Sequence, residues 1–279
     1  MTSSDYKTEM DEYWNESGGK KWVENLGQIE RVLRPVGQTL LDVMSSEHSV
    51  SVLDVGCGGA DLAARIAALL GQDSEVIASD ISLRILEEAR RNHKGDNLGF
   101  LHCDVEIHDF EPDFFDVVVS RFGVMFFANP LKAFINLRSS MRKGGRLNLL
   151  VWQSFDENLW MKVPASAAFK ILEKPEPPKE GDPGPFSLSD SEIFGDLLTK
   201  AGFCEISFLS NHIDLNLGQI EEAVNLMTQL GPAAGPYTEA SNDLQGEARR
   251  LIRDSLSNYE SNAGVSLPAA FWLVQATST

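Results

Sequence analysis

The stretch Val52-Leu53-Asp54-Val55-Gly56-Cys57-Gly58-Gly59-Ala60-Asp61 takes an apolar strand through a glycine loop and into a helix. Leu62, Ile66, Leu69 and Leu70 mark that helix by apolar spacing, and Gly71 stands where a left-handed residue closes one. Gly56 and Gly58 lack the Cβ atoms that would hold the backbone away from a bound group. A glycine loop alone is weak evidence, so its neighbours decide what it serves.

Working outward, Glu75-Val76-Ile77-Ala78-Ser79-Asp80 reads as a second strand. It ends in a carboxylate where a ribose-binding acid is expected. At a loop position, Asp80 reads as a residue on which the fold does not depend. Ser82 caps a helix carrying Leu83, Leu86 and Ala89. A third strand from Gly99 to Val105 brings Asp104 to its end. A fourth, Phe115 to Phe122, holds the run Val117-Val118-Val119, which suits a strand buried on both faces of a parallel sheet. Asn129 and Pro130 open a helix in which Leu131, Phe134, Ile135 and Met141 face the sheet. Gly144-Gly145 ends it, and Arg146 to Trp152 forms the fifth strand. This alternation predicts a doubly wound α/β sheet whose ligand lies beyond the carboxyl ends of the strands, where Asp54, Asp80 and Asp104 gather.

The dinucleotide pattern G-x-G-x-x-G fails because position 61 is aspartate. Asp54-x-Gly56-x-Gly58-x-Ala60, with Asp80 and Asp104 after the next two strands and Gly144-Gly145 before an apolar strand, resembles class I S-adenosylmethionine-dependent methyltransferases over roughly residues 50 to 152. Ala60 replaces the commoner glycine and Gly59 the usual threonine. Ser120-Arg121-Phe122-Gly123-Val124-Met125-Phe126-Phe127, followed by Asn129-Pro130, and the Trp14 to Trp22 segment resemble the ubiquinone/menaquinone-biosynthesis branch. The resemblance implies a seven-stranded Rossmann-like sheet, six strands parallel and one antiparallel, with helical lid insertions. It implies S-adenosylmethionine as cofactor, S-adenosylhomocysteine as product and no metal. Asp54, Gly56, Cys57, Gly58, Asp80, Ile81, Asp104, Val105, Ser120 and Phe122 become the cofactor residues, with Ser120 and Phe122 at the reacting end. The implied reaction is in-line methyl transfer to a small-molecule acceptor with an oxygen, nitrogen, sulfur or carbon nucleophile. An NAD(P)-dependent oxidoreductase and a non-catalytic S-adenosylmethionine-binding protein are the alternatives.

The expected organisation is an N-terminal helical lid (1–45), the cofactor core (46–152), a completing segment (153–213), a helical insertion that covers the substrate (214–268) and a last strand (269–279). Trp22, Val23, Leu26, Ile29, Val32 and Leu33 form an apolar stripe in the first of these. Tyr13, Trp14, Trp22 and Met125 are the lid or substrate candidates. The Pro- and Gly-rich stretch 173–185 reads as a surface loop or hinge. Ser189-x-x-Glu192 reads as a capping box before a helix closed by Gly202, and a strand over Phe203 to Leu209 follows. The insertion holds two helical patterns, one through Ile220, Val224, Met227 and Leu230 and one over Leu244 to Tyr259, with Gly231-Pro232 and Gly235-Pro236 as turns between them.

A net charge of −17, from 41 acidic against 24 basic residues, argues against nucleic-acid partners, which need a basic surface. No apolar run is long enough to span a bilayer and no signal peptide is legible, so a cytoplasmic enzyme without membrane insertion is expected. Cys57, Cys103 and Cys204 lack metal-ligand spacing and read as reduced thiols. Of the five histidines, His212, just after the strand ending at Leu209, and His108, just after the Asp104 loop, are the candidates for a chemical role. Oligomeric state is open.

Overall fold

The computed structural model describes residues 3–179 and 181–279. Residues 1 and 2 of the N-terminal segment, and residue 180 of the 173–185 stretch, lie outside the described residues. The chain opens with helices α1 (Ser3–Asn15) and α2 (Ser17–Met44) and then alternates. β1 (Ser51–Val55), α3 (Asp61–Leu70), β2 (Glu75–Asp80), α4 (Leu83–Asn92), β3 (Leu98–His102) and β4 (Phe115–Arg121) lead to α5 (Pro130–Ser140) and β5 (Met141–Trp152). Next come α6 (Leu159–Ala168), α7 (Ser191–Lys200), β6 (Phe203–Asn216), α8 (Ile220–Gln229), α9 (Ala234–Glu239), α10 (Asn242–Leu256), β7 (Glu260–Ser261) and β8 (Gly264–Ser278).

The strands lie in the order β3-β2-β1-β4-β5-β8-β6. Neighbours from β3 through β5 pair in parallel, and β8 runs antiparallel to both β5 and β6. The six-plus-one sheet is therefore present, with the two-residue β7 added against β8. Val117, Val118 and Val119 are fully buried, as a central strand covered on both faces requires. Order reverses at β1, whose neighbours are β2 and β4, and this is where open α/β sheets leave a crevice.

Local chemistry explains most boundaries. Ser82 Oγ accepts from Ile85 N, and Asn129 accepts from Lys132 N with Pro130 at the first helical position. Gly71 closes α3 at φ +74°. Several expectations change. The cap of α7 is Asp190, whose Oδ1 accepts from Glu192 N and Ile193 N at 2.9 and 3.1 Å, whereas Ser189 Oγ donates to Phe186 O. Gly144-Gly145 does not end α5, which stops at Ser140; the pair lies inside β5 where register shifts against β4. A Cβ on Gly145 would meet Arg142 O at 2.8 Å, so glycine there serves the irregularity. The strand expected over 203–209 runs to Asn216, and the last strand begins at Gly264 rather than Ala269. Gly235-Pro236 sits in α9 rather than in a turn; near a helix start the missing proline N–H costs no intrahelical bond.

Helix α2 buries Leu26, Ile29, Val32, Leu33, Val36 and Leu40. Its other side is braced by the segment after β6. Asn25 Nδ2 donates to Gln229 Oε1 at 2.6 Å, Gln28 Nε2 donates to the carbonyls of Leu217 and Glu222 at 3.0 Å, and Lys21 Nζ donates to Thr238 Oγ1 at 3.1 Å. No helix among the described residues is long and apolar enough to cross a membrane.

Candidate active site

The glycine loop turns through φ +65° at Gly56, +55° at Gly58 and +60° at Ala60. Ala60 is the N-cap residue of α3 and adopts the left-handed region without being glycine, a conformation that costs of order 1 kcal/mol for an L side chain. The glycines make room for the protein itself. A Cβ on Gly56 would lie 2.7 Å from Gly123 Cα, one on Gly58 3.3 Å from Trp22 Nε1, and one on Gly59 2.5 Å from Leu26 Cδ1. The loop is thus moulded to the turn after β4 and to α2, contacts that the reading of Gly56 and Gly58 as room for a bound group did not include.

Asp80 is held from both sides. Its Oδ2 accepts from Gly58 N and its Oδ1 from Ser82 N, both at 2.9 Å. Burial pushes its carboxyl up to about 6 against the pull of those N–H groups. Each oxygen keeps a second lone pair for a ligand hydroxyl. Its carboxylate also ties the glycine loop to the start of α4, a contact the sequence reading did not include.

Beyond the strand ends lies a cavity of about 1100 Å³, counting the open solvent at its mouth. Asp54 borders it at the end of β1 and is 1% exposed. Neither of its carboxylate oxygens has a hydrogen-bond partner among the described residues. Burial raises its carboxyl to about 7; nearby Arg121 pulls the other way, and Glu30 and Asp80 add to the rise. Arg121, the last residue of β4, donates through Nη2 to Glu30 Oε2 of α2 at 2.6 Å. Burial, with Asp80 and Asp54 nearby, holds the Cys57 thiol well above its usual range, and burial with Asp104 and Asp80 nearby pushes Cys103 up to about 12, so neither is a thiolate nucleophile.

The cavity brings together Asp54, Gly56, Cys57, Gly58, Asp80 and Ile81, then Asp104, Val105 and Phe122, with Trp14 and Trp22 from the N-terminal helices. Phe122 sits at φ +70° and stacks on Trp152 at 3.8 Å and 14°; a bulky residue keeps that conformation only where its surroundings impose it. Five candidates lie elsewhere. Ser120 is fully buried, its Oγ donating to Val55 O at 2.7 Å and accepting from Gly123 N at 3.2 Å, so it fastens β4 to β1. Met125 is buried and its carbonyl accepts from Gly184 N and Ser187 Oγ. Tyr13 is exposed and edge-on to Trp14. His108 packs edge-on to Phe110 behind the Asp104 turn, and His212 lies exposed within β6, so neither candidate histidine lines the cavity. Among the described residues of the 214–268 insertion, none lines it either. Glu30, Arg121, Glu106 and Phe126 are lining residues that the sequence reading passed over. Glu30 had a signal: it follows Leu26 by four and precedes Leu33 by three, placing a charge on the apolar stripe of α2.

Residues 52–145 match the family described as "Methyltransferase domain". Among curated proteins, the chain is 26% identical over 171 residues to the ubiquinone/menaquinone biosynthesis C-methyltransferase UbiE of Pectobacterium carotovorum, covering 57% of this chain and 68% of that protein. For the protein of the same name from Stutzerimonas stutzeri the figures are 26% over 136 residues, 47% of this chain and 53% of that protein. Among solved structures, a putative methyltransferase from Bacillus halodurans superposes with a TM-score of 0.57 at 18% identity, covering 87% of this chain and 98% of that one. The YcgJ protein of Bacillus subtilis gives 0.56 at 16% identity, covering 87% and 97%. At such identities these two structures speak to fold alone.

Proposed function

We propose that this chain, which matches the methyltransferase-domain family over residues 52–145 and resembles the ubiquinone/menaquinone-biosynthesis methyltransferases, is an S-adenosylmethionine-dependent enzyme that methylates a small-molecule acceptor by in-line displacement within the cavity beside Asp54. The observation that carries this reading is the Asp54 carboxylate, buried without a hydrogen-bond partner among the described residues at the wall of that cavity. A partnerless buried carboxylate is costly, and a ligand ammonium offsets the cost. Asp80 accepts from the ribose hydroxyls with its remaining lone pairs, and the Ile81 and Asp104–Val105 walls flank the base. Bound there, S-adenosylmethionine supplies a methyl carbon activated by its positive sulfur, and leaves as S-adenosylhomocysteine.

The chain's own work is positioning. Trp14, Trp22 and Phe126 form a run of edge-to-face aromatic contacts at 5.1–5.8 Å that excludes water from one side of the cavity. Phe122, pinned by Trp152, supplies a rigid wall at the end of β4. Holding the nucleophile and the methyl carbon in a near-attack arrangement supplies much of the acceleration. Oxygen, nitrogen, sulfur and carbon nucleophiles all suit that scheme, and no candidate base is assigned. The net charge of −17 supports a small acceptor over a nucleic acid. Three unpaired cysteines support a reducing, cytoplasmic setting.

Calorimetric titration with S-adenosylmethionine, S-adenosylhomocysteine and NAD tests the cofactor. Binding of the first two is expected, and clear binding of NAD alone transfers the site to an oxidoreductase. Transfer of a labelled methyl group into a small-metabolite extract tests the rest; tight cofactor binding with no label transferred to any small molecule counts against the acceptor class.

A further inference from the structure

We infer that Arg121 and Glu30 complete, with Asp54, a clamp for the α-amino-acid end of the cofactor, so that helix α2 supplies part of cofactor recognition and is more than a cover for the acceptor. This rests on the cofactor reading above and adds residues that the glycine loop does not contain. Along the sheet, β3, β2, β1 and β4 are adjacent in that order, and at or just beyond their carboxyl ends stand Asp104, Asp80, Asp54 and Arg121. A nucleoside lying over β3 and β2 therefore brings its tail over β1 and β4.

The unsatisfied atoms collect at that end. Asp54 Oδ1 and Oδ2 and Glu30 Oε1 are buried acceptors without partners among the described residues, and Arg121 Nη1 is a buried donor without one. The side chains of Arg121 and Glu30 are only 7% and 12% exposed. Gly37 of α2 faces the guanidinium, and a Cβ there would lie 3.4 Å from Nη1. An ion pair that served only to dock α2 would gain by using both nitrogens and both oxygens, because each idle buried group carries its full desolvation penalty. Here one donor and three acceptor atoms are left over at one wall of the cavity. An α-amino-acid zwitterion matches the set: its carboxylate accepts from Arg121 Nη1, and its ammonium donates to Asp54 and to Glu30 Oε1. The three protein groups sum to one negative charge when ionised, which the positive sulfur of the intact cofactor balances.

Arg121→Gln and Glu30→Gln test the clamp with two probes, S-adenosylhomocysteine and 5′-methylthioadenosine, the latter carrying the nucleoside and thioether without the amino acid. Arg121→Gln should lower affinity for S-adenosylhomocysteine about tenfold or more and leave 5′-methylthioadenosine within about twofold of the unsubstituted chain, which also reports that the variant is folded. Glu30→Gln, nearly isosteric, should show the same split more weakly and carries the test if Arg121→Gln does not fold. Unchanged affinity for S-adenosylhomocysteine in a folded variant, or equal losses for both probes, overturns the clamp and leaves the pair as a fastening of α2. Failure of the unsubstituted chain to bind either probe is a different result, and removes the cofactor reading instead.

Discussion

Asp54 and Asp80 occupy neighbouring strand ends and differ in what the protein gives them. Asp80 has two backbone N–H partners, and Asp54 has none among the described residues. Both carboxyls are raised by burial, from an ordinary 3.8 to about 6 and about 7. Between the ordinary value and these, the native state holds protons that the unfolded chain has lost. Stability of the ligand-free protein therefore falls as pH rises across that window, and the loss is complete above about 7. Asp54→Asn should flatten the dependence, seen as denaturant midpoints at pH 5 and pH 8 that lie closer together than those of the unsubstituted chain; an equal spread removes Asp54 from the account. Binding runs the other way. Asp54 must ionise to meet an ammonium, so affinity for S-adenosylmethionine should strengthen as pH rises through 7, and Asp54→Asn should weaken it at pH 8 by roughly ten- to a hundredfold, the worth of a charge-assisted hydrogen bond. Asp80→Ala should lower both affinity and stability, the latter by about 1–3 kcal/mol for stranding the N–H groups of Gly58 and Ser82. A midpoint that does not move with Asp80→Ala would return that residue to a purely ligand-facing role.

At the scale of elements, the glycine loop and α2 form one unit. Trp22 faces Gly58 and Leu26 faces Gly59, while Gly56 abuts the Gly123 backbone. Gly56→Ala places a Cβ 2.7 Å from a backbone atom at φ +65°, and neither can shift as a flexible side chain could. The expected cost is ~3 kcal/mol or more, readable in a thermal melt, and a near-normal melting temperature would show the loop to be more pliant than its packing indicates. The end of α1 is tied down beside Asp80: Ser82 Oγ donates to Trp14 O at 2.6 Å, Asn15 Nδ2 donates to Ile81 O at 3.2 Å, and Leu83 N donates to Asn15 Oδ1 at 3.1 Å. These bonds are few, and residues 8–25 contribute only part of the cavity wall, so exchange of their amides should slow when S-adenosylhomocysteine binds. Residues 219–240 brace α2 from outside, and their exchange should not respond. The reverse pattern would make the insertion the moving cover. The apolar stripe of α2 was legible from spacing, since burial on one face writes a period of 3.6. What the stripe packs on was not, because it meets a loop distant in sequence.

Across the whole molecule, a net charge of −17 surrounds a cavity lined by Glu30, Asp54, Asp80, Asp104 and Glu106 against the single guanidinium of Arg121. Fields of one sign steer ligands of the opposite sign and fade with ionic strength. The association rate of S-adenosylmethionine, which carries one net positive charge, should fall as salt rises from 20 to 200 mM (about one Debye length being ~10 Å near 0.1 M), while that of neutral S-adenosylhomocysteine changes little; parallel salt dependence in stopped-flow traces would exclude steering. The sequence by itself determined the alternation of strands and helices, the glycine turn, the acids at the ends of the first three strands and most helix caps, because these follow from side-chain periodicity and from bonds between residues a few positions apart. Only the tertiary structure decided that Ser120, His108 and His212 stand away from the cavity, that the 214–268 segment buttresses α2 without lining the site, and that Glu30 meets Arg121 beside an unpartnered Asp54. Those outcomes depend on contacts between residues far apart in the chain, such as the 91 positions that separate Glu30 from Arg121, and local pattern carries no record of which distant group will arrive.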